Sequence, residues 1–360
     1  MRVLMIGFDH TMIVEGPAKP SDTRERHIRY AQALRALHPD GHITVVLHVP
    51  ASWSDQVVRL AEGLSVHPVP CQRGLFVPRA VRIVRHLLTT QRFDLTTTQT
   101  PFDDGLLGVW LKRAFRVPLN VQMRSSLLDV SHWIGERPIV YRLFNLLGKW
   151  VAQQADTIRV VSQGEKHRLE ERFPALRGKI TALHPLINCQ IFQEPLKEQE
   201  RERCQTALRQ HGFQDRPFVL FVGRLVMQKN LPTLLRSFAQ VRQHIPEASL
   251  VIAGDGPLRP SLKWLAQQLG LDESILWLGS LSLSELRGWY ATAVATMLPS
   301  LHEGLAKVIP ESYLVGTPVI AAPFVSTAEL IHDGQTGFIA PDFTNQEWLA
   351  DRMLFVLAHP

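Results

Sequence analysis

The chain has 360 residues, 45% hydrophobic and 20% charged, with a net charge of +6. That length exceeds one ordinary hydrophobic core, so two domains are expected, and the composition excludes a disordered or fibrous chain. The apolar run MRVLMIGF is too short for a signal-peptide core, no uninterrupted apolar stretch could span a bilayer, and Cys71, Cys189 and Cys204 lack metal-ligand spacing, which together fit a reduced, cytoplasmic compartment.

Charge is unevenly divided. Residues 1–190 hold 25 Lys and Arg against 16 Asp and Glu, a net +9, whereas residues 191–360 hold 14 against 17, a net −3. A basic first half is either a solvated surface or one that meets an anionic partner: a phosphorylated substrate, a membrane surface or nucleic acid.

In chain order, buried strands are expected at 2–7, 42–47, 64–69, 94–99, 118–122, 157–161 and 180–183, with helices near 24–37, 79–90, 105–115, 139–154 and 164–173. The irregular stretch HPLINCQIFQEP (184–195) leads into the charged segment LKEQERERCQTALRQHG, and the domain boundary is placed there, at about residue 190. Beyond it the alternation becomes almost metrical. Strands at 218–222, 249–254, 275–279, 295–299 and 317–322 are separated by helices at 231–245, 258–271, 283–293 and 307–315, and a last helix falls near 345–358. Continuous apolar runs, as opposed to alternating ones, mark strands covered on both faces. The fold class is therefore α/β, with two doubly wound Rossmann-like domains, 1–190 and 191–360, and ligands expected at the carboxyl ends of the strands, in the cleft between the domains.

Three loops carry residues suited to chemistry. In FVGRLVMQKN (221–230) a strand ends at Gly223, and Arg224 and Lys229 follow in the loop. A guanidinium fork and a mobile ammonium suit a pyrophosphate, although Lys and Arg are also ordinary loop residues. VIAGDGPLRP (251–260) is a second strand with a glycine turn, in which Gly254 and Gly256 allow close backbone approach and Asp255 organises the turn. In LHEGLAKVIPESYLVGTPVIA (301–321), Glu303 and Gly304 precede a helix expected to begin near Ala306, because Pro310 is tolerated only in a first turn. The amides of Leu305, Ala306 and Lys307 would then offer an anion site, and Glu311 could accept hydrogen bonds from a diol. On this stretch alone the simpler reading wins, with Glu303 complementing the helix dipole and Glu311 a surface residue.

The pieces G-R-L-V-x-x-K (223–229), A-G-D-G-P (253–257), E-G-L-A-K-V-x-x-E (303–311), G-T-P-V-I-A (316–321) and E-L-I-x-D-G-x-T-G-F (329–338) occur together and in order. In that combination the second half resembles the C-terminal domain of the group 1 glycosyltransferases (glycosyltransferase family 4), retaining enzymes of the two-Rossmann GT-B fold. FDLTTTQTPFDDGLLG and IRVVSQ give the first half a weaker resemblance to the same family's acceptor domain. The resemblance implies that Arg224 and Lys229 hold the diphosphate of a nucleotide-sugar donor, that Glu303 meets the sugar hydroxyls and Glu311 the ribose, and that Gly254 and residues 304–307 line the donor site. It implies an oxocarbenium-like transition state whose departing diphosphate is stabilised without a metal. Asp103 and Asp104 could suggest a metal site, but their place before a helix favours N-capping.

Two departures from the family pattern stand out. Where family members commonly carry a histidine after the strand matching PLNVQ, this chain has Arg124, with His132 a weaker substitute nearby. Arginine cannot act as a neutral imidazole, so Arg124 either binds an anionic sugar or acceptor or impairs transfer. The chain also stops at Pro360, where family members usually continue with a helix that returns to the first domain. Arg24 and Arg26, near the start of the first helix, are candidates for an acceptor phosphate or carboxylate. Arg79, Arg82 and Arg85 interleave with Ile83, Val84, Leu87 and Leu88 in a helix that is either an outer, solvated one or a basic amphipathic one docking on anionic lipid.

The expectation is thus a cytoplasmic glycosyltransferase, peripheral at a membrane surface, that moves a sugar to a glycan or lipid-linked acceptor in cell-surface polysaccharide or glycolipid synthesis. It takes no cofactor or metal and binds no nucleic acid. A catalytically silent sugar-nucleotide-binding protein and a nucleotide-sugar epimerase are the alternatives.

Overall fold

The runs of apolar residues without alternation become the inner strands of two parallel sheets. The computed structural model describes residues 1–14, 22–130, 138–185, 189–213 and 216–359. The chain divides into two compact units, Met1–Leu186 and Ile187–Pro360.

In the first unit the strands are β1 (Arg2–Gly7), β2 (His42–Val49), β3 (Val58–Ala61), β4 (Leu64–Pro70), β5 (Leu95–Thr98), β6 (Leu119–Met123), β7 (Thr157–Val160) and β8 (Ile180–Ala182). Their order is β3-β4-β2-β1-β5-β6-β7-β8, parallel except for the edge pair β3–β4. The helices are α1 (Asp22–Leu37), α2 (Phe76–Thr90), α3 (Asp103–Phe115), α4 (Pro138–Gln154) and α5 (Gln163–Arg172). Strand β3 is absent from the sequence expectations: four residues, none fully buried, give no apolar run to detect.

In the second unit a four-residue helical turn, Gln190–Gln193, lies in the stretch that reads as irregular from sequence, and α6 (Glu198–Gln210) follows in the charged segment, for which no element is expected. Cys204 and Leu208 are its buried residues, a narrow apolar contact in an otherwise charged helix. Then follow β9 (Phe218–Val222), α7 (Leu231–His244), β10 (Ser249–Ala253), α8 (Arg259–Gln268), β11 (Ile275–Gly279), α9 (Leu283–Thr292), β12 (Ala295–Leu298), α10 (Val308–Tyr313), β13 (Val319–Ala321), β14 (Gly337–Ile339) and α11 (Gln346–Ala358). The strand order is β11-β10-β9-β12-β13-β14, parallel throughout.

Both sheets reverse direction of winding at the middle, at β1/β5 and at β9/β12. Loops leaving neighbouring strands there go to opposite faces, which opens a crevice at the carboxyl edge. The helices are fixed by their inner faces. On α7, Leu231, Leu234, Leu235, Phe238 and Val241 recur at helical spacing and are wholly buried against Val219, Phe221, Leu250 and Ile252. Each such side chain contributes about 1.5–3 kcal/mol relative to exposure.

The structure bears on one open reading and revises two expectations. On α2, Phe76, Ala80, Val84 and Leu87 are buried, and Ile83 and Leu88 pack on the same core. Its apolar face is therefore taken up by the protein, which favours the outer, solvated helix over one docking through Ile83, Val84, Leu87 and Leu88. Helix α3 is capped by Phe102 with no side-chain hydrogen bond. Asp104 instead accepts from the Gln99 and Thr100 amides, each at 2.8 Å, and from the Thr100 hydroxyl, while Asp103 pairs with Arg73 at 3.2 Å. The two carboxylates fasten separate neighbours. Finally, α10 begins at Val308 and has six residues, so Ala306 and Lys307 belong to the preceding loop and Glu311 to the first turn.

Candidate functional site

The loops at the crevice of the second sheet are stitched together by backbone. Gly254, at φ +149°, passes so close to the β9 loop that a Cβ would lie 1.9 Å from the Gly223 carbonyl oxygen. Around it Gly223 N donates to Ala253 O (3.0 Å), Leu225 N to Asp255 O (3.0 Å) and Leu258 N to Leu225 O (3.1 Å). Only glycine fits, so the glycine turn holds the Arg224 loop in place. Asp255 accepts from the Gly256 amide and pairs with Arg259 at 3.0 Å, as expected of a turn-organising residue.

The β9 and β12 loops are joined in turn by Gln228, whose Nε2 donates to His302 O (2.8 Å) and whose carbonyl accepts from Leu301 N (2.9 Å). This places Lys229 Nζ 2.5 Å from Glu303 Oε1, with the two side chains only 15% and 11% exposed. The sequence assigns these two residues to different parts of one ligand; the structure makes them partners. Each keeps capacity: an ammonium has three donors, and Glu303 retains its second oxygen. Arg224 behaves differently. It is exposed, and its side chain has no hydrogen bond or ion pair among the described residues.

Glu311 is nearly buried and accepts from the Tyr290 hydroxyl at 2.9 Å. Burial, reinforced by the Glu311 carboxylate, drives the Tyr290 phenol well above its ordinary range, so Tyr290 remains a donor. Nothing in GWYATA distinguishes this tyrosine from a core residue, and sequence reasoning missed it. Gly304, Leu305, Ala306 and Lys307 form the turn between Glu303 and α10; Ala306 is buried with Leu298 and Ile309.

In the first unit, Arg124 directly follows β6 and is partly buried. Loss of hydration, followed by repulsion from Arg26, pushes its pKa down to about 10, opposed by attraction to Asp9, so it is charged at neutral pH. Asp9, which sequence reasoning passed over, accepts from Thr11 Oγ1 (2.5 Å) and Thr23 Oγ1 (2.7 Å). Burial alone would raise its pKa, but these hydroxyls and the Arg124 charge hold it below the usual value. Arg26 Nη2 donates to Thr23 Oγ1 at 3.2 Å, which sets Arg26 beside Asp9 and Arg124; Arg24 lies on the same helix and makes contacts of its own. His132 falls outside the described residues.

A family model described as "Glycosyl transferases group 1" matches residues 205–360, and one described as "Glycosyl transferase 4-like domain" matches residues 27–185. The chain belongs to the group 1 glycosyltransferases. It is 28% identical over 259 residues to an alpha-D-kanosaminyltransferase from Streptomyces kanamyceticus, an alignment that covers 69% of this chain and 64% of that protein, less than two thirds of its length. Its fold is that of the GT-B glycosyltransferases. Sucrose-phosphate synthase from Thermosynechococcus elongatus superposes with a TM-score of 0.79 at 20% identity, covering 100% of this chain and 90% of the other. HepE from Anabaena, in complex with UDP-glucose, gives 0.72 at 18% identity, covering 100% and 90%.

His27 of this glycosyltransferase-family chain supplies a pH test of the Arg124 surroundings. Its Nδ1 is 2.6 Å from Thr23 O, and the side chain is fully buried. Burial, opposed by that hydrogen bond and aided by Arg124 and Arg26, pushes the imidazole down to about 4. The unfolded chain therefore takes up a proton near pH 6.5 that the folded chain refuses until about pH 4, so stability falls as pH drops through that window, by on the order of 3 kcal/mol at most. Denaturant titrations at a series of pH values should show this slope in the wild type and lose most of it in His27→Gln. An unchanged slope would place the titrating group elsewhere.

Proposed function

We propose that the chain is a retaining glycosyltransferase that moves a sugar from a nucleotide-diphospho-sugar to a glycan or lipid-linked acceptor without a metal ion. The Lys229–Glu303 pair beside exposed Arg224, at the crevice of the second sheet, carries this reading. A nucleotide-sugar presents anionic phosphates next to neutral hydroxyls, and the site presents cations next to a carboxylate in the same order. Lys229 uses one N–H on Glu303 and turns the others to the diphosphate; Arg224 closes on it as a fork. Glu303 Oε2 receives a sugar hydroxyl, and Glu311, steadied by Tyr290, receives the ribose. As the C1–O bond to the phosphate breaks, charge develops on the leaving oxygen and on the anomeric carbon. Fixed cations meet the first, and the acceptor hydroxyl attacks C1 from the face the diphosphate leaves, its proton passing to a phosphate oxygen. Stabilising the leaving group is the main catalytic work. The UDP-glucose complex of HepE makes uridine donors the first to test.

The deciding experiment incubates the purified chain with UDP- and GDP-sugars, candidate glycan and lipid-linked acceptors, and a chelator. An acceptor lengthened with retained configuration at C1 is the expected product. A changed free sugar without transfer, binding without turnover, or loss on chelation restored by Mg²⁺ or Mn²⁺ would each overturn part of the proposal.

The phosphate clamp has its own signature. Arg224→Ala should weaken UDP binding by about 1.5–3 kcal/mol and leave uridine binding and Tm unchanged, because the side chain supports nothing else. Lys229→Ala should weaken UDP equally but also lower Tm, since it strands a nearly buried Glu303 carboxylate. Isothermal titration with both ligands reads the first effect and thermal melts the second. Equal losses for UDP and uridine would defeat the assignment.

Arg124 carries a specificity prediction. Arg26 and Arg159 repel it, and Asp9 and Tyr30 attract it. We propose that the group it receives is a carboxylate or phosphate on the sugar or acceptor, such as a uronic acid or a phospholipid. Arg124→His should lower kcat/KM for the anionic substrate and raise it for a neutral analogue. If the wild type prefers the neutral pair and the substitution accelerates it, Arg124 is not a recognition residue.

A further inference from the structure

Helix α4 (Pro138–Gln154) shows water a face that an outer helix normally makes polar. Ile139, Leu143, Leu146 and Trp150 follow at spacings of four, three and four, one continuous stripe, and are 76%, 62%, 64% and 37% exposed; Val140 beside them is 49% exposed. The helix is not loose. Its opposite face buries Val151 and Ala152, Tyr141 Oη donates to Leu127 O at 2.7 Å, and Asn145 bonds Asp129. The stripe is therefore displayed by a firmly held helix. Its surroundings are basic. Exposed Arg142 lies three residues from Ile139 and four from Leu146, and Arg113, on the end of α3, stands 5.4 Å over the Trp150 ring. Phe115 and Arg116, exposed, follow Arg113, and α4 contains no Asp or Glu.

We propose that this face docks on an anionic lipid bilayer, with Ile139, Leu143, Leu146 and Trp150 entering the boundary between headgroups and acyl chains while Arg142, Arg113 and Arg116 meet the headgroup phosphates. An apolar stripe edged by cations, with an aromatic ring at one end, is the pattern of a surface-bound helix. Charge argues against a second copy of the chain. A two-fold contact through this stripe would bring like guanidinium groups together, and a patch on the order of 500 Å² is smaller than the ~800 Å² per partner of a stable interface. The proposal stands independently of the sugar-transfer reading. It also differs from docking through α2, whose apolar side chains are buried.

The test sediments the full chain with phosphatidylcholine vesicles, with and without phosphatidylglycerol. The wild type should partition at least about tenfold more strongly onto the anionic vesicles, and less as salt rises. Leu143→Ser with Leu146→Ser should reduce that partition about tenfold or more. Arg142→Glu should reduce it on anionic vesicles, whereas Arg82→Glu on α2 should have little effect. Melting curves establish that the variants are folded, and Arg142→Glu alone decides the matter if the double variant is not. Absence of wild-type binding, or binding indifferent to both α4 variants, overturns the proposal. So does a dimer in solution that the double serine variant dissolves, which would make the stripe a self-interface.

Discussion

A lysine and a glutamate 74 residues apart in sequence meet at 2.5 Å between the β9 and β12 loops, and the candidate donor site is organised around that meeting. The pair forms only because the strands that feed the two loops are neighbours in the sheet, paired in parallel with Phe221 opposite Met297. It is kept because Gln228 bonds the β12 loop through both its backbone and its side chain. Upstream of both is the contact of Gly254 with Gly223, which admits no side chain. A chain of short-range constraints thus converts a strand order into the position of one ammonium group.

Much of the fold was legible because both sheets are covered on their two faces, and burial of that kind writes itself as uninterrupted apolar runs such as FVLFV and SLVIA. What escaped was whatever earns its place through few contacts. Strand β3 is partly exposed along its length, and α6 meets the core through two side chains, so neither leaves a periodic trace. At the site, glycines and cations that follow strands were readable, since strand ends in such folds face ligands. Partnerships were not. The Lys229–Glu303 and Tyr290–Glu311 contacts, and the role of Asp9 beside Arg124, depend on which loops fold next to each other, and composition and spacing carry no such information.

The basic surplus of the first unit becomes more specific once its internal pairs are set aside. Arg35 meets Glu62, Arg73 meets Asp103, Lys112 meets Asp156, Arg168 meets the buried Glu165, and Asp129 is shared by Lys149 and Arg172. These cations hold loops and helix ends and are largely neutralised where they stand. Apart from these pairs, among the described residues, stand the guanidinium groups around Asp9 at the carboxyl ends of β1 and β6, and the basic margin of α4. The first is partly buried and suits recognition of a single anionic group. The second is exposed and flanks an apolar stripe, which suits a surface.

Lys229 and Arg224 make different contributions to the same proposed task. Lys229 is already desolvated and fixed by Glu303, so little reorganisation remains when charge develops on a phosphate, the condition under which electrostatic stabilisation of a leaving group is strongest. In the proposed reaction the Glu303 carboxylate that holds it would also temper its charge and so limit ground-state binding of the diphosphate. Arg224 is free in water, and ordering its side chain costs up to ~2 kcal/mol of rotamer entropy, recovered only when a fork of two oxygens is present. On the proposed reading one cation serves positioning and the other capture. A site with both can admit a charged donor quickly and still present a prearranged field to the bond that breaks.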